Sequence, residues 1–79
     1  IYKSEVLESK KILKKNNIKK FNLFGNLIDD DYFHYRIITY NYPTNYDPTA
    51  NFFLYLKKEK ITQNCKKLDE GKYLMLIKC

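Results

Sequence analysis

Few side chains in this sequence could make or break bonds. Among 79 residues there are one histidine, His34, two cysteines, Cys65 and Cys79, and two serines, Ser4 and Ser9, a thin inventory for a catalytic constellation. A nucleophile needs a base beside it and a third group to orient that base, and a lone histidine among aromatics supplies no such set; it reads as a partly exposed structural residue. Gly25 and Gly71 lie too far apart to build a glycine-rich phosphate loop. Asp29, Asp30 and Asp31 form a run of like charge without the glycine and bidentate glutamate of a calcium loop, so they read as a solvated loop that caps the next strand. Cys65, Cys79 and His34 match no zinc spacing, and a disulfide is the simpler use of the two thiols. The residues therefore predict no catalytic group, no metal site and no cofactor.

Charge is more informative than chemistry. Fifteen Lys or Arg against nine Asp or Glu give a formal charge of +6, a field that favours nucleic acid, anionic glycans, membrane head groups or acidic protein faces. Lys10, Lys11, Lys14, Lys15, Lys19 and Lys20 stand close together with no acid between them. They predict a partner-binding surface, and the competing reading is a solvated loop. Eight Tyr and five Phe interleave with the bases, which suits stacking on single-stranded nucleic acid as well as an ordinary aromatic core. No apolar run is longer than that of Tyr73 to Ile77, which falls far short of the ~18 residues that span a bilayer.

The elements that must position these residues are short. Ile1 to Ser9 read as a strand, or as a helix if Ser4 caps a run through Lys15. Lys10 to Asp31 read as a long loop with one helical turn. From Tyr32 the period is two, with Phe33, Tyr35, Ile37 and Thr39 on one face, and this predicts a strand through Tyr40. Tyr42 to Pro48 form a turn-rich connection. Strands then follow over Asn51 to Ile61 and, after the Asp69-Glu70-Gly71 turn, over Tyr73 to Ile77. Phe52, Leu54, Leu56, Tyr73, Met75 and Ile77 are expected to line one core. A single domain over residues 1–79 this small buries only about 60% of its unfolded surface and needs a staple. Cys65 and Cys79 are the candidates, bonded to each other, bonded to another chain, or free.

The segment Cys-Lys-Lys-Leu-Asp-Glu-Gly-Lys-Tyr-Leu-Met-Leu-Ile, Cys65 to Ile77, resembles the netrin-like domain, the module that closes complement components three, four and five. That domain occurs also in netrins, procollagen proteinase enhancers and tissue inhibitors of metalloproteinases. Tyr2 to Leu7, Asp31 to Tyr42 and Phe52 to Cys65 resemble its earlier strands in the same order. The resemblance implies a mostly β fold, a five-stranded barrel of the oligonucleotide/oligosaccharide-binding type, cut short at Cys79 before the family's last strand and helix. Leu76 stands where the family has glycine. The implied function is that of a secreted, extracellular, non-enzymatic module that docks an extracellular protein with an acidic face. Its partner-binding residues would be the six lysines, or Tyr40, Tyr42 and Tyr46 on the following turn. The alternatives are a single-stranded nucleic-acid-binding barrel and a secreted protease-inhibitor-like protein. Inhibition by the family's route needs an N-terminal cysteine where Ile1 stands. The family partner of Cys65 near the N-terminus is also missing, which leaves Cys79, another chain or no partner. A start at Ile1 reads as a processed product.

Overall fold

A computed structural model describes residues 2–61 and 64–79. The first helix, α1 (Ser4–Lys15), is built from straight-chain Glu, Leu and Lys residues with high helix propensity. Val6, Ser9, Ile12 and Leu13 are buried along one side of it. Glu5 in its first turn and Lys14 and Lys15 in its last complement the helix dipole. It ends where Asn17 takes a left-handed φ of 56° and the Ile18 amide donates to the Leu13 carbonyl at 3.0 Å, a cap asparagine tolerates.

Strand β1 (Lys20–Leu23) leads through Gly25 into the one-turn helix α2 (Asn26–Asp29) and then α3 (Asp31–Asn41). The remaining strands are β2 (Asn45–Tyr46), β3 (Phe52–Leu56), β4 (Lys66–Glu70) and β5 (Leu74–Lys78). They form one sheet in the order β2-β1-β3-β5-β4. β1 runs parallel to both β2 and β3; β5 is antiparallel to β3 and β4.

The sheet has five strands, but only β3 and β5 fall where the sequence predicts strands. β1, β2 and β4 arise where none was expected, and Ser4 to Ser9 take the helical of their two readings. The architecture is mixed α/β with an open sheet. β2 and β4 stand at opposite edges, so no barrel closes. The parallel pairing of β1 with its neighbours requires a crossover, and α2 and α3 supply it. Tyr32 to Tyr40, expected as a strand, belongs to α3. The Asp30 side chain accepts the Tyr32 amide at 2.9 Å, an N-cap, and Phe33, Ile37 and Asn41 are buried at a spacing of four. A capped helical stripe thus overrides the β propensity of the aromatic and branched residues. Of the three aspartates expected to cap a strand, Asp30 caps a helix while Asp29 ends α2 and Asp31 begins α3, and Lys10 to Lys15 belong to α1 instead of a loop.

The core lies between α1, α2 and α3 and one face of the sheet, where Phe21, Leu23, Leu54, Leu56, Leu74 and Leu76 meet Val6, Leu13, Leu27 and Ile37. Leu54 and Leu56 of the expected inner row are in place, opposite Leu76 and Leu74. Met75 and Ile77 instead pair with Tyr55 and Phe53 on the other face. In the continuous apolar run of β5 both faces are apolar, so the pattern fixes no phase, and a shift of one residue exchanges the faces. β3 stops at Leu56, before Lys58 and Lys60. Cys65 and Cys79 form a disulfide, with Cα atoms 4.7 Å apart, beside the Lys66–Lys78 pair that begins the β4–β5 ladder.

Candidate functional site

α1 and α3 pack closely because the residues at their contact are small and mutually satisfied. The buried Ser9 hydroxyl donates to the Val6 carbonyl at 2.6 Å and accepts from Asn41 Nδ2 at 2.8 Å. The same Asn41 nitrogen donates to the Ile37 carbonyl at 2.8 Å. A paired polar contact of this kind fixes how the helices sit without an orphaned donor.

The outer side of this pair carries alternating rings and cations. Two cations lie over the Tyr32 ring: Lys3, whose Nζ is 4.7 Å from its centroid, and Arg36, whose guanidinium carbon is 4.2 Å away. The Lys3 amide donates to the Tyr32 hydroxyl at 3.0 Å. Lys10 Nζ stands 4.4 Å from the Tyr40 centroid, and Tyr2 packs on Tyr40 with centroids 4.7 Å apart. Tyr35 and Tyr42 project furthest, with 69% and 76% of their surface exposed. Tyr2, Tyr35, Arg36 and Thr39 line one depression of this surface. Contacts of this type are worth about 0.5–1 kcal/mol each at exposed positions. They order long side chains before anything binds.

The six lysines do not form one patch, because a helix turns them in different directions. Lys10 joins the aromatic surface. Lys11 lies with Leu7 and Tyr73 on another side of α1, Lys14 is exposed, and Lys15 is 3.6 Å from Asp69. Lys19 and Lys20 lie at the start of β1, where Lys20 is 3.9 Å from Asp47. Of the three tyrosines, Tyr40 belongs to the surface and Tyr42 stands exposed at the end of α3. Tyr46 packs half-buried against Phe21 and His34 at centroid distances of 6.1 and 5.7 Å. His34 places Nδ1 3.1 Å from the Ile28 carbonyl, a structural position on α3.

Sequence reasoning missed Tyr2, Lys3, Tyr32, Tyr35 and Arg36 as surface residues. The signal was available in the spacing of Tyr32, Arg36 and Tyr40, which is four throughout and therefore one row of a helix. Read as alternation, the same residues looked like one face of a strand.

Among the described residues no cluster of three or more His, Cys, Asp or Glu is placed to hold a metal ion. Among the same residues no helix is long and apolar enough to cross a membrane. No family model matches the chain, and neither a curated protein nor a solved structure proves similar to it.

Proposed function

We propose that this chain is a non-enzymatic extracellular module that binds an acidic face of another protein through the outer side of α1 and α3. The observation that carries this reading is the Tyr32 ring with both Lys3 and Arg36 over it, and with Tyr2, Tyr40 and Lys10 adjoining. Tyrosine and arginine dominate interface energetics because they offer large, stiff, amphipathic contact area, and the cations select an acidic counterpart and speed encounter. The Cys65–Cys79 disulfide is compatible with an oxidising compartment. The likeness of Cys65 to Tyr73 to the netrin-like domain supports a secreted binding module, although the open sheet lacks that family's barrel.

A photo-crosslinking residue in place of Tyr35, offered to the proteins of the medium around its own cells, tests the reading. The expected adduct is an acidic protein, lost in Lys3→Glu/Arg36→Glu and weakened by added salt. An adduct indifferent to that charge reversal overturns the proposal. The second reading, single-stranded nucleic acid on Tyr35 and Tyr42, is favoured instead if an oligonucleotide binds with a steep salt slope and blocks the adduct.

A further inference from the structure

Beyond the last turn of α1, an open groove of about 750 Å³ runs along the ends of β1, β3, β5 and β4. Its volume falls within the ~300–1,000 Å³ typical of small-molecule sites. The floor is apolar: Ile18 is buried, and Phe52 and Leu68 are half-buried against the core. The rim is cationic, with Lys19, Lys20 and Lys78.

Asp47 is the carboxylate of this groove, and it is already engaged. It accepts the Thr49 amide at 2.9 Å and the Thr49 hydroxyl at 2.7 Å, bonds that hold its carboxyl below the usual range, and it stands 3.9 Å from Lys20. Among the described residues the ion pairs are Lys15–Asp69, Lys20–Asp47, Lys57–Glu70 and Lys67–Glu70. Lys19 and Lys78 belong to none of them. Lys78 instead lays its Nζ 5.6 Å from the Phe52 ring, at the edge of the apolar floor, and the disulfide of the neighbouring Cys79 ties this end of β5 to β4.

We infer that this groove binds a small amphipathic anion, with a single carboxylate, sulfate or phosphate head on an apolar body. The charge excess of the rim recognises the head, and Ile18, Phe52 and Leu68 cover the body. An apolar floor with a few convergent charged groups is the usual construction of such a site. The groove shares no residue with the α1–α3 surface, so its failure would leave the proposed docking face untouched.

Titration of the whole disulfide-bonded chain with decanoate and with decyl phosphate, followed by amide chemical shifts, tests the assignment and separates the two head groups. The expected result is saturable shifts at Lys19, Lys20, Asn51, Phe52, Leu68 and Lys78, for at least one of the two anions. Lys19→Gln/Lys78→Gln should weaken that binding about tenfold while leaving the thermal midpoint within a few degrees, as for surface substitutions. Equal binding of decyltrimethylammonium, equal binding of acetate and inorganic phosphate, shifts centred on Tyr35 and Tyr42, or an affinity unchanged in the lysine variant would each overturn it.

Discussion

At Gly71 and again at Gly25, a glutamate from a distant element occupies the space that a side chain would fill, yet the two glycines are needed for different reasons. In the β4–β5 turn, Glu8 of α1 accepts the amides of Lys72, Tyr73 and Leu74 at 2.9, 2.8 and 2.8 Å. A Cβ on Gly71 would collide with that carboxylate, while the φ of Gly71 is not positive. Ahead of α2, Glu59 accepts only the Asn26 amide, at 3.2 and 3.3 Å from its two oxygens. A Cβ on Gly25 would lie 2.7 Å from Glu59 Oε1, but Gly25 also has φ +63°, where L side chains are strained. One turn is kept open for a carboxylate; the other is set by its backbone. The remedy for a substituted glycine should therefore differ between them.

The first experiment concerns the opposite end of the Gly71 hairpin, where the disulfide closes the ladder. With a sequence separation of 14, chain-entropy reasoning gives a loss of about 3 kcal/mol on Cys65→Ser/Cys79→Ser, read as the shift in urea midpoint. A loss below about 1 kcal/mol would mean that Glu8 and the β3–β5 pairing hold the hairpin without closure, and the contrast between the turns would then rest on Glu8 alone.

Next in size is Gly25→Ala, which should cost about 1–3 kcal/mol for the imposed φ. Removing the obstructing carboxylate as well, in Gly25→Ala/Glu59→Ala, should recover almost none of it, because the strain is in the backbone. Recovery of most of the loss in the double variant would show that sterics alone had dictated the glycine.

At the Gly71 turn the opposite is expected. Glu8→Ala strips three amides of a charged acceptor, and because water can reach part of this turn the cost should sit near the low end for such bonds, about 1.5 kcal/mol. Gly71→Ala expels the same carboxylate and should cost about as much. The double variant should cost no more than either single one, a coupling that a double-mutant cycle reads directly. Additive losses would show that Gly71 and Glu8 act separately.

This contrast also marks what the sequence makes legible. A turn at Gly71, the strand after it and the inward Leu54 and Leu56 could be read locally, because turn residues and apolar rows are properties of neighbours in the chain, although Asp69 and Glu70, expected in that turn, belong to β4. The Cys65–Cys79 bridge could be drawn once the strand was expected to fold back. α3 could not, because Tyr32, Arg36 and Tyr40 satisfy a period of two and a period of four alike, and the deciding cap on Asp30 is a hydrogen bond. The role of Glu8 was also out of reach, since its partners stand more than sixty residues away. The aromatic and cationic row on the outer side of α1 and α3 was lost with α3: lysines were read as a linear cluster, whereas a helix hands Lys10 to Tyr40 and turns Lys11 and Lys15 elsewhere.

The smallest effect lies one residue before Gly71. Glu70 is bonded to Lys57 and, at 2.6 Å, to Lys67, and the Lys57 bond above all, then that of Lys67, pulls its carboxyl from 4.5 down to about 2. A carboxyl depressed on folding adds stability that is fully present above its unfolded value and is lost as pH falls through the folded one. The window here is therefore about pH 4.5 to 2. The group is exposed and salt screens it, so the gain is small, and Glu70→Gln should change the urea midpoint little at pH 7. Within the acid window the parent should lose stability more steeply than Glu70→Gln, although Asp69, lowered chiefly by its bond from Asn16, keeps part of the slope in both. The carbon resonance of the Glu70 carboxyl gives the direct reading. A midpoint near 2 in the parent should rise toward 4.5 in Lys57→Gln, whereas a parent midpoint already near 4.5 would show that the two lysines do not hold this carboxylate, and would leave Glu8 as the one acid that anchors the hairpin turn.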